Sequence, residues 1–269
     1  MSHFDDQLLD AFAHTFYGYG NYNGAYWFIG IEERGNLFQD VEKRLLVWDS
    51  RGRSELDDVA LFHKAIGYGS LFEKQPNKPD TPRLQPTWNK LIRILLSAAG
   101  RVSDNEDAAE LTKLVREYQQ TKLGRTQEES CLIELFPLPS QSSHAKDWIY
   151  GNYSSLDYCT NRKVYEEHFM SLRISHIKDL ITQYKPPVVV FYSKKYLSCW
   201  EQIADMTFSD DASLDISMVQ SKSTIFMIMK HPAYWTPGKT SAYFHNLGKN
   251  IASKRATINK NVSRETFLS

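Results

Sequence analysis

Tyr26-Trp27-Phe28-Ile29-Gly30-Ile31-Glu32-Glu33-Arg34-Gly35 is an apolar run that stops abruptly at a glycine and two carboxylates. Short aromatic and β-branched runs bounded by glycine have the character of buried strands, so a strand is predicted to end near Ile31. In open α/β sheets, the loop leaving the carboxyl end of such a strand is where ligands bind. That puts Glu32 or Glu33 at the mouth of a site; the plainer alternative is that two solvated acids begin the next loop.

Upstream, residues 5–17 carry apolar positions at helical spacing. They run into Tyr17-Gly18-Tyr19-Gly20-Asn21-Tyr22-Asn23-Gly24, which cannot hold a helix and is expected to be a turn with surface tyrosines, or an aromatic rim to the site. Downstream, Phe38 to Trp48 is predicted as an amphipathic helix and 57–66 as a shorter one. Four prolines between 74 and 86 mark a rigid loop. Thr87 is the expected N-cap of a helix over 88–99 that stops at Gly100, and the amides at that helix start could bind phosphate. A polar surface helix is predicted over 104–123.

A second buried strand is predicted in Ser130-Cys131-Leu132-Ile133-Glu134-Leu135-Phe136, ending in prolines. A carboxylate in so apolar a run is costly unless it is paired or turned outward on an edge. After a loop over 141–160 and a long helix over 161–184, Val188-Val189-Val190-Phe191-Tyr192-Ser193 is a continuous apolar run of the kind found in parallel strands covered on both faces. A helix over 194–206 follows. The last predicted strand, 224–229, ends at Lys230-His231-Pro232-Ala233-Tyr234-Trp235, and a helix over 240–252 closes the chain. Four strands alternating with helices imply a single three-layer α/β/α domain around a four-stranded, mainly parallel sheet over 1–253, with a basic polar tail over 254–269. Glu32, Glu134, Ser193 and His231 all fall at strand ends.

The chain has 269 residues, 42% of them hydrophobic and 24% charged, with no net charge. This is globular composition, with no apolar run of the roughly eighteen residues a membrane span needs. The acidic start Met1-Ser2-His3-Phe4-Asp5-Asp6 is unlike a signal peptide, so a cytoplasmic location is expected. Cys131, Cys159 and Cys199 are far apart, as buried thiols rather than a disulfide framework or metal site would be. From Lys222 onward eight basic residues face one acid, Glu265, an asymmetry expected of a face that meets phosphates.

Taken together, the strand ends resemble the uracil-DNA glycosylase superfamily from about Trp27 to Gly238. Gly30-Ile31-Glu32 looks like its water-activating loop, with Glu32 in the catalytic place. Pro86-Thr87 resembles the proline-rich loop that pinches a DNA phosphate, and Tyr192-Ser193-Lys194 the Gly-Ser loop. Glu134, beside Phe136, falls where the family reads the base edge. His231-Pro232 is similar to the start of the loop that holds the leaving-base histidine and then inserts a wedge, here Trp235 or Tyr234. The resemblance implies a monofunctional glycosylase that flips a base from DNA, monomeric and without metal or cofactor.

Two departures point to a modified cytosine. No aromatic follows the water-activating loop in Glu33-Arg34-Gly35, which opens the pocket, and an acceptor-only Glu134 suits the exocyclic amine of cytosine. The superfamily's phage-defence members excise glucosylated hydroxymethylcytosine. In that case Arg34 and the Tyr17–Tyr26 segment are candidate sugar contacts, with Gly30 and Ile31 lining the base pocket. The alternatives are excision of uracil or another deaminated base, a DNA-binding module without activity, and an unrelated α/β enzyme acting on nucleotides or small esters.

Overall fold

In the computed structural model, residues 2–35, 37–74, 76, 82–103, 107–142, 144–233 and 240–266 are described, with 258–266 as backbone alone. In chain order, α1 (Asp6–Thr15) leads to β1 (Gly18–Gly20) and β2 (Tyr26–Gly30), then α2 (Phe38–Ser50), β3 (Leu56–Asp57) and α3 (Val59–Ala65). The helices α4 (Pro86–Ala98) and α5 (Ala108–Thr121) precede β4 (Ser130–Glu134). The long α6 (Arg162–Tyr184) is followed by β5 (Val188–Phe191), α7 (Leu197–Ala204), β6 (Ser209–Asp211), β7 (Ile216–Gln220), β8 (Ile225–Met229) and α8 (Ser241–Thr266).

The sheet is mixed, open and eight-stranded, in the order β3-β1-β4-β2-β5-β8-β7-β6. The four strands predicted from the sequence are its parallel centre, because β4, β2, β5 and β8 pair in parallel. Every residue of β2, β5 and β8 is buried, so both faces of that centre are covered. The expectation of a four-stranded sheet is corrected by four further strands. β1 is the glycine-rich stretch expected to be a turn. It pairs so closely with β4 that a Cβ on Gly18 would lie 2.0 Å from the carbonyl oxygen of Leu132. The glycines that argue for a turn are what let this strand approach. β3 has two residues, and β6 (Ser-Asp-Asp) is a polar edge strand paired antiparallel with β7.

Three other local expectations change. The N-cap of α4 is Gln85, whose side chain accepts from Trp88 N at 2.7 Å, with Pro86 at the first helical position and Thr87 buried behind it. The loop over 141–160 contains short 3-10 turns at Ala145–Asp147, Tyr150–Asn152 and Asp157–Cys159. α8 runs on to Thr266, so most of the segment expected as a loose tail is helical. Near its middle, Arg255 donates to the hydroxyl of Tyr26 at 2.9 Å, and α8 packs along α4. Among the described residues no helix is long and apolar enough to cross a membrane.

Candidate active site

The chain leaves β2 toward β4 on one side and leaves β5 toward β8 on the other, although β2 and β5 are neighbours. Adjacent parallel strands with diverging connections open a crevice at their carboxyl ends, where open α/β sheets bind ligands. Parallel crossovers are right-handed, so the β2-to-β4 connection, with α2 to α5, covers one face and α6, between β4 and β5, covers the other. Both faces send side chains to this crevice.

The segment after β2 is held as an extension of the sheet. Leu135 N donates to Gly30 O at 2.9 Å, Phe136 N to Ile31 O at 2.8 Å and Ser140 N to Glu33 O at 2.9 Å. In an extended segment successive side chains point to opposite faces, and Glu32 and Glu33 do so. Glu32 meets Arg162 of α6, with Oε2 2.6 Å from Nη1, and its side chain is only 7% exposed. Burial pushes its pKa up, against the pull of Arg162, to about 7. Such a carboxyl holds its charge weakly at neutral pH and takes a proton readily.

Glu33 has the opposite chemistry. It accepts from Tyr19 Oη at 2.8 Å and Arg44 Nη1 at 2.7 Å, and His63 Nε2 lies 3.3 Å from its other oxygen. Burial alone would raise its pKa, but Arg44, His63 and Tyr19 outweigh it and hold the group at about 2. Glu33 is thus a fixed anion joining β1, α2 and α3, with no proton to exchange near pH 7.

Glu134 ends β4 directly opposite Gly30. Its Oε1 accepts from Tyr192 Oη at 2.8 Å, while Oε2 is buried and has no hydrogen-bond partner among the described residues. A Cβ on Gly30 would lie 2.2 Å from Tyr192 Oη and 2.3 Å from Glu134 Oε2, so the glycine makes room for this pair. Burial, with Glu33 and Glu32 nearby, pushes the Glu134 carboxyl up to about 8, so it carries a proton at neutral pH. It is then donor as well as acceptor, which corrects the acceptor-only character expected from its residue type. The Tyr192 ring stands edge-on to His231, 5.7 Å between centroids. His231 is itself lowered in pKa by burial and by Lys90 of α4, which favours the neutral imidazole.

The crevice therefore brings together Glu32, Gly30, Ile31, Glu134, Tyr192 and His231. Phe136 is fully buried under the Arg162 guanidinium, 5.6 Å from ring centre to Cζ. Ser193 is buried, its Oγ accepting from Lys195 N at 3.1 Å, and Lys194 Nζ is 3.0 Å from Asp215. Arg34 is exposed. Tyr17, Tyr19 and Tyr26 are core residues, which removes them as sugar contacts; Tyr17 lies against the buried Arg173 guanidinium, 3.3 Å from ring centre to Cζ. Tyr234 and Trp235, expected as the wedge, lie outside the described residues. Among the described residues no group of three or more His, Cys, Asp or Glu is placed to hold a metal ion. Arg44, Arg162 and His63 were not expected at the site, and on their own helices they carry no motif that would have marked them; Tyr19, expected only as part of an aromatic rim, is instead a buried donor to Glu33.

No protein-family model matches the chain, and no curated protein matches it significantly.

Proposed function

We propose that this chain is a monofunctional DNA glycosylase that hydrolyses the N-glycosidic bond of a modified pyrimidine and leaves an abasic site. The observation that carries this reading is Glu32, a buried carboxyl at the end of β2 whose pKa near 7 suits it to take a proton from water. In the proposed step a water proton passes to Glu32, the water oxygen bonds to C1′ of the sugar, and the bond from C1′ to the base nitrogen breaks. The electron pair leaves on the base, where a neutral His231 hydrogen-bonds the developing charge. The three-layer α/β/α arrangement implied by the resemblance accords with this placement of strand ends. DNA would meet the crevice at the start of α4, where Pro86 is exposed, and after β5 at Lys194; the side chains of Thr87 and Ser193 are buried, which leaves their backbone to meet a phosphate.

Within that class we favour a modified cytosine, glucosylated hydroxymethylcytosine in phage DNA, with a role in antiviral defence. Glu33 turns away toward Arg44, so it does not take the place of the aromatic that would exclude a bulky base, while Gly35 is packed against Asp40 and Pro139. The protonated Glu134 supports a second reading. A neutral carboxyl matches the uracil edge as well as the cytosine edge, which keeps excision of uracil or another deaminated base in play.

The test is incubation of the pure protein with DNA that is unmodified, uracil-containing or glucosylated at hydroxymethylcytosine, followed by alkali. Breaks confined to glucosylated DNA are expected. Breaks confined to uracil DNA would move the protein to base repair. Binding without breaks in any of the three would leave a DNA-binding module.

A further inference from the structure

Arg162 is shared. It is the first residue of α6, whose start is fixed by Asn161, the side chain of which accepts from Lys163 N and Val164 N, each at 3.1 Å. Its Nη1 lies 2.6 Å from Glu32, and its Nε donates to Glu166 Oε1, also at 2.6 Å. The rings of Phe136, Trp148 and Tyr165 surround the guanidinium, with centroids 5.6, 5.5 and 5.7 Å from Cζ. A cation so enclosed by aromatic rings is held in place, and arginine does not give up its proton. Glu166 is fixed in turn by Tyr196, whose hydroxyl donates to the same Oε1 at 2.9 Å. One immobile positive charge is thus divided between two carboxylates, of which Glu32 is the more deeply buried.

We propose that Glu166 tunes Glu32 by competing for Arg162, so that α6 sets the pH at which the crevice carboxyl takes up a proton. Arg162 and Glu166 are positioning residues in this scheme. It deepens the glycosylase reading, on which it rests wherever activity is concerned. The other groups acting on Glu32 are Lys195 after β5, Glu134 of β4, Tyr165 of α6 and Tyr150 of the loop before α6. Each is left intact by the changes below. Neutralising Glu166 leaves the whole of Arg162 to Glu32 and favours the charged form of Glu32. Neutralising Arg162 does the reverse, because an opposite charge within a few ångströms favours ionisation. A merely structural role would not produce shifts of opposite sign.

The experiment is an NMR titration of the whole protein carrying carbon-13 at the glutamate carboxyls, with Glu32→Gln identifying the Glu32 signal. The Glu32 midpoint is expected to fall by about one pH unit in Glu166→Gln and to rise by at least as much in Arg162→Gln. Glu166→Asp, which restores the charge, should return it toward the wild-type value. Should Arg162→Gln not fold, Glu166→Gln decides alone, since it keeps the shape of the side chain. An unchanged midpoint in Glu166→Gln overturns the proposal. In parallel, the acid limb of the pH profile for base release should move down with the midpoint in Glu166→Gln. Shifted midpoints in a protein that cleaves none of the DNAs would sustain the charge sharing and sink the glycosylase reading. Fixed midpoints in a protein that does cleave would do the opposite.

Discussion

Gly30 and Glu134 face each other in register across β2 and β4, and Glu134 Oε2 occupies space that a side chain on Gly30 would need. Gly30→Ala is therefore expected to drive Tyr192 off Glu134 and to cost about 1–3 kcal/mol, the usual price of overpacking. Thermal unfolding would show it as a lowered Tm. A Gly30→Ala protein as stable as the wild type would mean that the pair can shift freely.

Glu32 and Glu33 should respond in opposite ways to the same substitution. Among the described residues, Glu33→Gln leaves the buried Arg44 with Asp40, 3.5 Å away, as its counter-charge. Breaking a buried pair in this way costs roughly 3 kcal/mol. Glu32→Gln removes a carboxyl that is already partly protonated at neutral pH, so its effect on Tm should be small while base release is lost. Equal destabilisation by the two variants, measured by urea unfolding at pH 7, would contradict this division of roles.

Glu134 and Glu32 have folded-state pKa values near 8 and 7, above the ordinary carboxyl value of 4.5. The folded protein therefore binds more protons than the unfolded chain between those values, and stability falls as pH rises. Their contribution is complete below about pH 4.5 and is lost through pH 7 to 8, at no more than about 1.4 kcal/mol per pH unit for each proton. Glu33, held at about 2, acts in the other direction, adding stability above about pH 4.5 that is lost as pH falls toward 2. Tm measured from pH 5 to 9 should decline in the wild type and decline less in Glu134→Gln. A parallel decline in both would remove Glu134 as its source.

Arg173 is 1% exposed and donates to the carbonyls of Phe16 at 2.9 Å, Leu135 at 3.1 Å and Glu134 at 2.6 Å. Arg173→Met would strand three buried acceptors, each worth about 1–3 kcal/mol. Severe loss of stability is expected, with the β1 and β4 ends the first to lose amide protection in hydrogen exchange.

His231→Ala should slow base release by about two orders of magnitude or more while DNA binding, measured by fluorescence anisotropy, is retained. Retained cleavage would assign the leaving-base contact elsewhere.

Helices such as α1, α4 and α5 were legible because apolar residues recur at helical spacing, and the four central strands because burial on both faces gives unbroken apolar runs; α6 has little such asymmetry, and the second half of α8 falls in the segment expected as a tail. β1, β3 and β6 were not, being short, glycine-bearing or polar; β7 joins the sheet by pairing with β8. The strand-end polar residues Glu32, Glu134 and His231 could be named in advance since they interrupt apolar runs. Their partners could not. Arg162 and Arg44 sit on helices where a charged residue ordinarily faces solvent, and only the tertiary fold turns them inward. The upward shift of the Glu134 carboxyl comes from its burial and from Glu33 and Glu32 nearby, against the hydrogen bond from Tyr192, an arrangement that no local pattern encodes.

The opposed orientation of Glu32 and Glu33 also constrains how distant kin could be recognised. Inserting or deleting one residue between Tyr26 and Glu33 would swap the two carboxylates and offer each the wrong arginine. An alignment that opens a gap in this stretch is therefore suspect on physical grounds. A search pattern combining Gly-x-Glu-Glu with one arginine inside the following helix and another at the head of a later helix, after Asn, would retrieve relatives by their wiring even where overall identity has faded.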